Sequence, residues 1–359
     1  MRGRSTPRLL RFGALIVAGA VVGVVAEKFL VRRQLSISDS EQIPDAAHAT
    51  HFHAMPVDDG AILHVEVDTP ALVNEQTPTV ILAHGFGMAG QAWWPQRRAL
   101  RGIARVVVWD QRGHAGSMAA RHPRSAPVTI DRLGADLAHI ITTLDLHNVI
   151  CVGHSMGGMT LMALAEQQPQ WFGPRVIGMV LMGTTAGNIA GISLGLPKPL
   201  AQSAHSLAPR FADLAERNGI GARMINRVRG GGGDLARVIA RSLAFGDDVP
   251  PGGVDMVIEL LDSVPLQVIS DLLVDLHAHD RLEVLSIMEK IPVLIVVGSR
   301  DALTPVAHSR AIAERLGQAE LVVLPGVGHM LGLEQPGRVN KLLTDFVRTV
   351  GADTKQVSS

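Results

Sequence analysis

Short apolar runs alternate with amphipathic stretches along most of the chain beyond residue 52. The apolar runs lie at residues 62–67, 80–83, 106–109, 149–152, 176–181, 293–297 and 321–324. The first alternates in polarity, as a half-buried strand does, whereas near-continuous apolar runs such as the next four are typical of strands buried on both faces of a sheet. The last two are predicted to be further strands. Stretches with helical periodicity separate them, at residues 91–101, 130–144, 156–168, 306–316 and 336–347. This alternation predicts the α/β class, with a mostly parallel, twisted sheet flanked by helices.

One long stretch interrupts the alternation. Residues 188–283 contain no convincing buried strand, only amphipathic pieces such as 234–243 and 254–261. A segment of this length is too long for a loop between two core strands, so we predict an inserted helical lid. The resulting division is a hydrophobic N-terminal segment (1–35), a linker (36–51), a core in two parts (52–187 and 284–350), the lid (188–283) and a polar tail (351–359).

The N-terminal segment has an uncharged run at residues 12–26, preceded by four arginines. As a helix this run covers roughly 22 Å, less than the roughly 30 Å of a bilayer core, so flanking residues must complete a span. We expect membrane association through residues 9–31, as an uncleaved anchor. Two alternatives stay open: a cleaved signal, which would give a secreted protein, and a segment that is neither an anchor nor a signal. Because basic residues flank both sides, the side of the membrane that the remaining chain faces is not predicted.

Composition narrows the function classes. Acidic and basic residues number 33 each, and no basic stripe is present, so we expect no nucleic-acid partner. Cys151 is the only cysteine, which excludes an intrachain disulfide and a thiolate metal cluster. Tyrosine is absent and tryptophans number four, which makes a polysaccharide substrate a poor fit. Nothing in the sequence predicts an oligomeric state.

A Gly-x-Ser-x-Gly motif at residues 153–157 directly follows the apolar run at 149–152 and precedes a helical stretch. A nucleophile elbow requires this strand–turn–helix context, because its glycines allow a tight turn that holds the serine out of the sheet. The alternative is a glycine-rich turn with an incidental serine. The context favours Ser155 as a catalytic nucleophile.

Two further strand ends supply the partners that such a serine needs, in the chain order Ser, Asp, His. Asp301 follows the run at residues 293–297, and His329 lies in a glycine-rich turn after the run at 321–324. The segment after residue 181 contains no carboxylate, which favours Asp301 as the acid. Its other interpretation is an N-cap for the helix near Pro305. We therefore predict a triad of Ser155, Asp301 and His329.

A tetrahedral intermediate also needs two backbone N–H donors, which form an oxyanion hole. The residue after the nucleophile is Met156, and the turn after residues 80–83 contains Phe86. These are the two positions that supply oxyanion donors in this architecture. We predict the N–H groups of Phe86 and Met156 as the donors.

Residues about 52–350 resemble the α/β-hydrolase superfamily, in its serine-nucleophile esterase and lipase-like branch. The resemblance rests on His-Gly-Phe at 84–86, Gly-His-Ser-Met-Gly-Gly at 153–158, and an Asp-x-Arg-Gly-His-x-x-Ser turn at 110–117, where Ala115 replaces a glycine. It implies a lid inserted after the sixth strand and structural roles for Asp110 and Arg112. These motifs specify substrate poorly, because many hydrolases share them.

We predict a hydrolase of carboxylic esters with an apolar acyl or lipid-like substrate. The lid is rich in aliphatic residues, and an anchor would bring the site near lipid. A carbon–carbon bond hydrolase and a cofactor-free perhydrolase on the same triad are alternatives, as is a non-catalytic ligand-binding protein. We expect no cofactor and no metal, although His48, His51 and His53, and a second group at residues 275–280, contain metal-ligand types.

Overall fold

The structure, a computed structural model, describes residues 51–71, 74, 77–117, 126–187 and 233–357. These residues contain one eight-stranded sheet with the order β1-β2-β4-β3-β5-β6-β7-β8. Its strands are β1 (His51–Pro56), β2 (Ile62–Asp68), β3 (Thr79–Ala83), β4 (Arg105–Trp109), β5 (Val149–His154), β6 (Val176–Met182), β7 (Val293–Gly298) and β8 (Glu320–Leu324). Strand β2 is antiparallel to both neighbours, and the other pairs are parallel. The predicted mostly parallel α/β fold is confirmed.

The described helices are α1 (Trp94–Leu100), α2 (Ile130–Thr143), α3 (Met156–Gln167), α4 (Gly233–Ala244), α5 (Gly253–Ser263), α6 (Leu266–Ala278), α7 (Leu285–Met288), α8 (Val306–Leu316), α9 (Leu331–Glu334) and α10 (Pro336–Val357). A 3-10 turn at Gly90–Trp93 leads into α1, so the predicted helix at residues 91–101 changes character near its start. The last helix continues to Val357, well beyond the predicted end at residue 347.

Helices cover both faces of the sheet, which explains why its central strands are apolar throughout. Strands β3, β5, β6 and β7 are completely buried. Side chains from α2, α3 and α8 form one core cluster with the sheet, and those from α1 and α10 form another on the opposite face. Burial of each aliphatic side chain contributes about 1.5–3 kcal/mol to the stability of the fold. The two layers therefore hold the strands in place, and with them the strand ends where the site lies.

Helix α2 illustrates how the sequence specifies this packing. Thr129 caps its first turn by accepting a hydrogen bond from the Arg132 N–H at 3.3 Å. Leu133, Leu137 and Ile141 recur at helical spacing and are fully buried, so they form the stripe that packs inward.

The described part of residues 188–283 is helical. Both predicted amphipathic pieces are helices, α4 and α5, whereas α6 was not predicted. Residues from α6 form a third apolar cluster with α2 and α3, which places α6 above the start of α3. The limits of the lid and of the other predicted segments stay predictions.

Strand β1 begins at His51, the residue that ends the predicted linker, and it was not predicted. The proposed anchor at residues 9–31 lies outside the described residues. Among the described helices, none combines the length and the apolar character needed to cross a membrane.

Candidate active site

Ser155 lies at the junction between β5 and α3, with φ 53° and ψ −119°. Positive φ is uncommon for a residue with a side chain and persists only where surrounding contacts enforce it. Here the Ser155 N–H donates to the Met182 carbonyl at 2.9 Å, and the Ser155 carbonyl accepts from the Thr184 hydroxyl at 2.7 Å. Neighbouring strand β6 thus holds the strained turn in place.

Close backbone approach explains the glycines around Ser155. A Cβ at Gly157 would fall on the Ala83 carbonyl, and a Cβ at Gly153 would lie 2.6 Å from the Gly157 carbonyl carbon. No side chain fits at either position. The motif is therefore required for the first turn of α3 to pass tightly against β3 and β5.

Asp301 and His329 form the buried pair that their strand ends predict. Asp301 Oδ2 lies 2.8 Å from His329 Nδ1, and Asp301 Oδ1 accepts the Thr304 N–H at 2.7 Å. Burial alone would raise the pKa of Asp301, but the His329 charge, together with hydrogen bonds from His329 and Thr304, holds that pKa below its ordinary value. The carboxylate is charged and orients the imidazole so that Nε2 is left as the basic nitrogen.

A hydrogen bond and a close approach of the backbone bring this pair beside the serine. His154, the residue before Ser155, donates from Nε2 to the His329 carbonyl at 2.9 Å, and the two rings lie 4.8 Å apart. A Cβ at Gly183, next to the Met182 that binds the Ser155 N–H, would lie 3.1 Å from Asp301 Oδ2. Within the described residues, no hydrogen bond joins the Ser155 hydroxyl to His329.

The two predicted oxyanion donors flank Ser155. Met156 is the first residue of α3, so its N–H has no partner within the helix. Phe86 lies in the loop after β3, and a Cβ on the neighbouring Gly85 would lie 3.2 Å from Ser155 Cβ. In the described part of the chain, neither the Phe86 nor the Met156 N–H makes a hydrogen bond.

Two buried histidines fix the loop that contains Phe86. His84 donates from Nδ1 to the Gly85 carbonyl at 2.8 Å and accepts the Gln111 N–H on Nε2. His114 accepts the Gly87 N–H at 3.1 Å. Burial lowers the pKa of His84 to about 4, and burial together with the nearby His84 lowers that of His114 to about 3. Both rings are neutral at pH 7, which their use of one donor and one acceptor nitrogen requires.

Asp110 and Arg112 have structural roles, as expected. Asp110 accepts the N–H of Gly90 at 2.7 Å and of Gly116 at 3.0 Å, which closes the loop after β4. Arg112 forms a bidentate buried pair with Asp136 on α2 at 2.6 and 2.8 Å. Neither side chain reaches Ser155 through a hydrogen bond among the described residues.

The side chains that the sequence marked as metal-ligand types lie in two separate parts of the chain. His51 and His53 lie on β1, and His48 is outside the described residues. Asp275 accepts the Ile130 N–H at 2.6 Å, at the start of α2. No group of three potential metal ligands occurs in the described part of the chain.

Sequence reasoning missed two residues around the triad. The Thr304 hydroxyl donates to Asp301 Oδ2 at 2.9 Å, and Glu334 accepts the N–H of Gly328, the residue before His329. The Asp-x-x-Thr spacing at 301–304 is a local signal that could have identified Thr304. Glu334 also accepts a hydrogen bond from Gly246, which lies 88 residues earlier in the chain, so sequence spacing alone does not reveal its role.

Comparison with known proteins places this chain in a family. A family model for the alpha/beta hydrolase fold matches residues 78–336. The dihydrolipoyllysine-residue acetyltransferase component of the acetoin cleaving system of Pseudomonas putida is 28% identical over 277 residues, which is 77% of this chain and 65% of that protein. The 3-oxoadipate enol-lactonase 1 of Acinetobacter baylyi is 24% identical over 291 residues, 81% of this chain and 95% of that protein.

The fold has close counterparts among solved structures. A thermophilic esterase from Thermogutta terrifontis superimposes with a TM-score of 0.61 at 21% identity, covering 85% of this chain and 100% of the esterase. A structural likeness at this level of identity supports the fold alone. The match to the family model carries the assignment to a family, because it spans well over half of the chain. The chain therefore belongs to the α/β-hydrolase fold family, and hydrolysis is the activity that its relatives support.

Proposed function

We propose that the protein hydrolyses carboxylic esters through a triad of Ser155, His329 and Asp301 and an acyl-enzyme intermediate. The observation that carries this proposal is the backbone of Ser155, held at positive φ between β5 and α3 beside the Asp301–His329 pair. Strained backbone of this kind clusters at active sites, where surrounding contacts enforce it.

In the proposed reaction, His329 Nε2 removes the Ser155 hydroxyl proton as Oγ attacks the ester carbonyl. The N–H groups of Phe86 and Met156 stabilise the resulting oxyanion, and His329 then returns the proton to the leaving alcohol. Water repeats the sequence on the acyl-enzyme. Asp301 keeps its charge and stabilises the imidazolium. None of these steps requires a metal or cofactor.

An apolar acyl group is supported by the surroundings of the oxyanion donors. Met156 belongs to a buried cluster with Val268 and Leu272 of α6, and Phe86 packs against it. The Gly87 position lies against Leu261 of α5, where a Cβ would approach Leu261 Cδ1 to 2.6 Å. Aliphatic side chains therefore border the site on the side of α5 and α6. An aliphatic surface of this kind favours a substrate with a hydrocarbon acyl group over one whose acyl group carries a charged acid.

Turnover of p-nitrophenyl esters from acetyl to lauroyl by the full-length chain tests this proposal. We expect hydrolysis of the series, with Ser155→Ala reducing kcat by on the order of 10³-fold or more. A relative named an enol-lactonase supports the ester class, because a lactone is a cyclic ester. Cleavage of a dicarbonyl compound at a carbon–carbon bond with no ester turnover would contradict the proposal, as would the absence of any turnover.

We also propose that residues 9–31 anchor the protein in a membrane. The support is the uncharged run at residues 12–26 between basic flanks. The full-length chain should then sediment with membranes and resist extraction by carbonate. N-terminal sequencing of the mature protein separates this from a cleaved signal, and recovery of the intact chain in the supernatant contradicts both.

A further inference from the structure

Glu334 is a buried carboxylate close to the general base. It ends the short helix α9 and is only 9% exposed. Its Oε2 accepts the Gly246 N–H at 2.7 Å and the Gly328 N–H at 3.0 Å. One of these amides precedes His329, and the other follows α4. A single side chain therefore joins two loops that are distant in sequence.

The two loops also bind each other directly. We call residues 325–330 the histidine loop and residues 245–247 the strap. The Asp247 N–H of the strap donates to the Gly326 carbonyl at 2.8 Å. The Met330 N–H donates to the Ala244 carbonyl, the last residue of α4, at 2.9 Å. A Cβ at Gly246 would fall on the Gly326 carbonyl, so the strap packs tightly against the histidine loop.

Burial of a carboxylate at this position costs desolvation free energy, which argues that its acceptor oxygens have a specific role. Burial raises the pKa of Glu334 above its ordinary value, an effect that the N–H donors of Gly328 and Gly246 and the charge of Arg241 offset only in part. Within the described residues, no basic side chain donates a hydrogen bond to it. Packing alone would be served by an apolar side chain, which avoids the desolvation of a carboxylate.

We propose that Glu334 is a positioning residue for His329. By holding the Gly328 amide it fixes the backbone that presents the imidazole to Ser155, and by holding Gly246 it ties that backbone to the end of α4. This inference rests on the proposed function, in which His329 is the general base. A shift of about 1 Å in such a group costs on the order of a hundredfold in rate, so small displacements of this loop are consequential.

The test is Glu334→Gln in the full-length chain. The amide oxygen can take the place of Oε2, but the N–H₂ group then replaces Oε1, which lies 3.1 Å from the Gly328 nitrogen. Two donors then face each other at Gly328, so the histidine loop must move. We expect kcat for a short p-nitrophenyl ester and the rate of Ser155 labelling by a fluorophosphonate to fall by about ten- to a hundredfold, with KM unchanged. Hydrogen exchange at residues 245–247 and 325–330 should accelerate.

Glu320→Gln is the matched control, because it removes the same charge from an exposed position on β8. It should leave all these quantities as in the wild type. If Glu334→Gln does not fold, Glu334→Asp, which withdraws the carboxylate by one methylene, should show the same loss of kcat. Wild-type kcat and labelling in the folded variant would overturn the inference alone. Absence of labelling in the wild type would overturn the proposed function and this inference with it.

Discussion

The Asp301 carboxylate combines a local turn with a long-range contact. Oδ1 accepts the N–H groups of Leu303 and Thr304 at 2.9 and 2.7 Å, and Oδ2 accepts from His329 and from the Thr304 hydroxyl. The alternative interpretation of Asp301, an N-cap for the helix near Pro305, is wrong, because α8 begins at Val306 and Pro305 occupies its N-cap position. The local bonds fix the carboxylate in the orientation that His329 requires.

Replacing this carboxylate by an amide should disturb the imidazole and leave the fold intact. In Asp301→Asn the side-chain amide can donate to His329 Nδ1, which moves the ring proton to Nε2 and removes the base. We expect kcat to fall by roughly 10⁴. The matched control, Asp345→Asn, removes an exposed carboxylate from α10 and should be neutral. Ester turnover measures both, and a near-normal rate in Asp301→Asn would mean that another group serves as the acid.

At this scale, the residues that follow strand ends were predictable from the sequence, and the supporting residue Glu334 was not. The triad candidates each follow an apolar run in a glycine-rich or turn context, which is a signal within a few residues. Glu334 acts on Gly246 from 88 positions away, and only the fold brings the two together.

Helix α6 covers the apolar side of the proposed site. Val268 is 4% exposed and packs into the cluster that contains Met156, whereas Val274 on the same helix is 70% exposed. The two valines therefore offer the same substitution in a buried and in an exposed setting. This contrast tests whether α6 shapes the acyl pocket.

Val268→Ala should enlarge the space beside the oxyanion donors and shift preference toward longer acyl chains. One or two methylenes in an apolar pocket change discrimination by about tenfold. The ratio of kcat/KM for lauroyl over butyryl esters should rise by about that factor in Val268→Ala and stay constant in Val274→Ala. Equal ratios in the two variants would show that the cluster does not border the acyl group.

The elements that the sequence missed are those whose apolar pattern is ambiguous. In β1 only Met55 is buried, so its residues have the polarity of a linker. Helix α6 exposes Leu273 and Val274 as well as burying Val268 and Leu272, which blurs the one-sided stripe typical of a surface helix. The central strands were predicted within one or two residues because burial on both faces makes them continuously apolar.

Three buried, neutral histidines around the site affect the stability of the whole molecule. Burial, with His329 nearby, lowers the pKa of His154 to about 3, and the pKa values of His84 and His114 are about 4 and about 3. In the unfolded chain these groups titrate near 6.5. Below that pH the unfolded state binds more protons than the folded state. The stability that depends on these neutral histidines is therefore fully present above about pH 6.5 and is lost as pH falls toward 4.

The free energy of unfolding should follow this decline. Each of the three histidines contributes a slope of up to about 1.4 kcal/mol per pH unit below pH 6.5. Urea unfolding at intervals between pH 7.5 and 5.5 measures the slope above the ordinary pKa values of carboxyl groups. A free energy of unfolding that stays constant across this interval would contradict neutral burial of the histidines.

The central claim is that Ser155 is the nucleophile, and covalent labelling tests it most directly. The full-length protein is treated with a fluorophosphonate, digested, and the adduct located by mass spectrometry. We predict a single adduct on Ser155 and none in Ser155→Ala. An adduct on another serine, such as Ser117 in the loop after β4, would contradict the claim, and so would labelling that persists in Ser155→Ala.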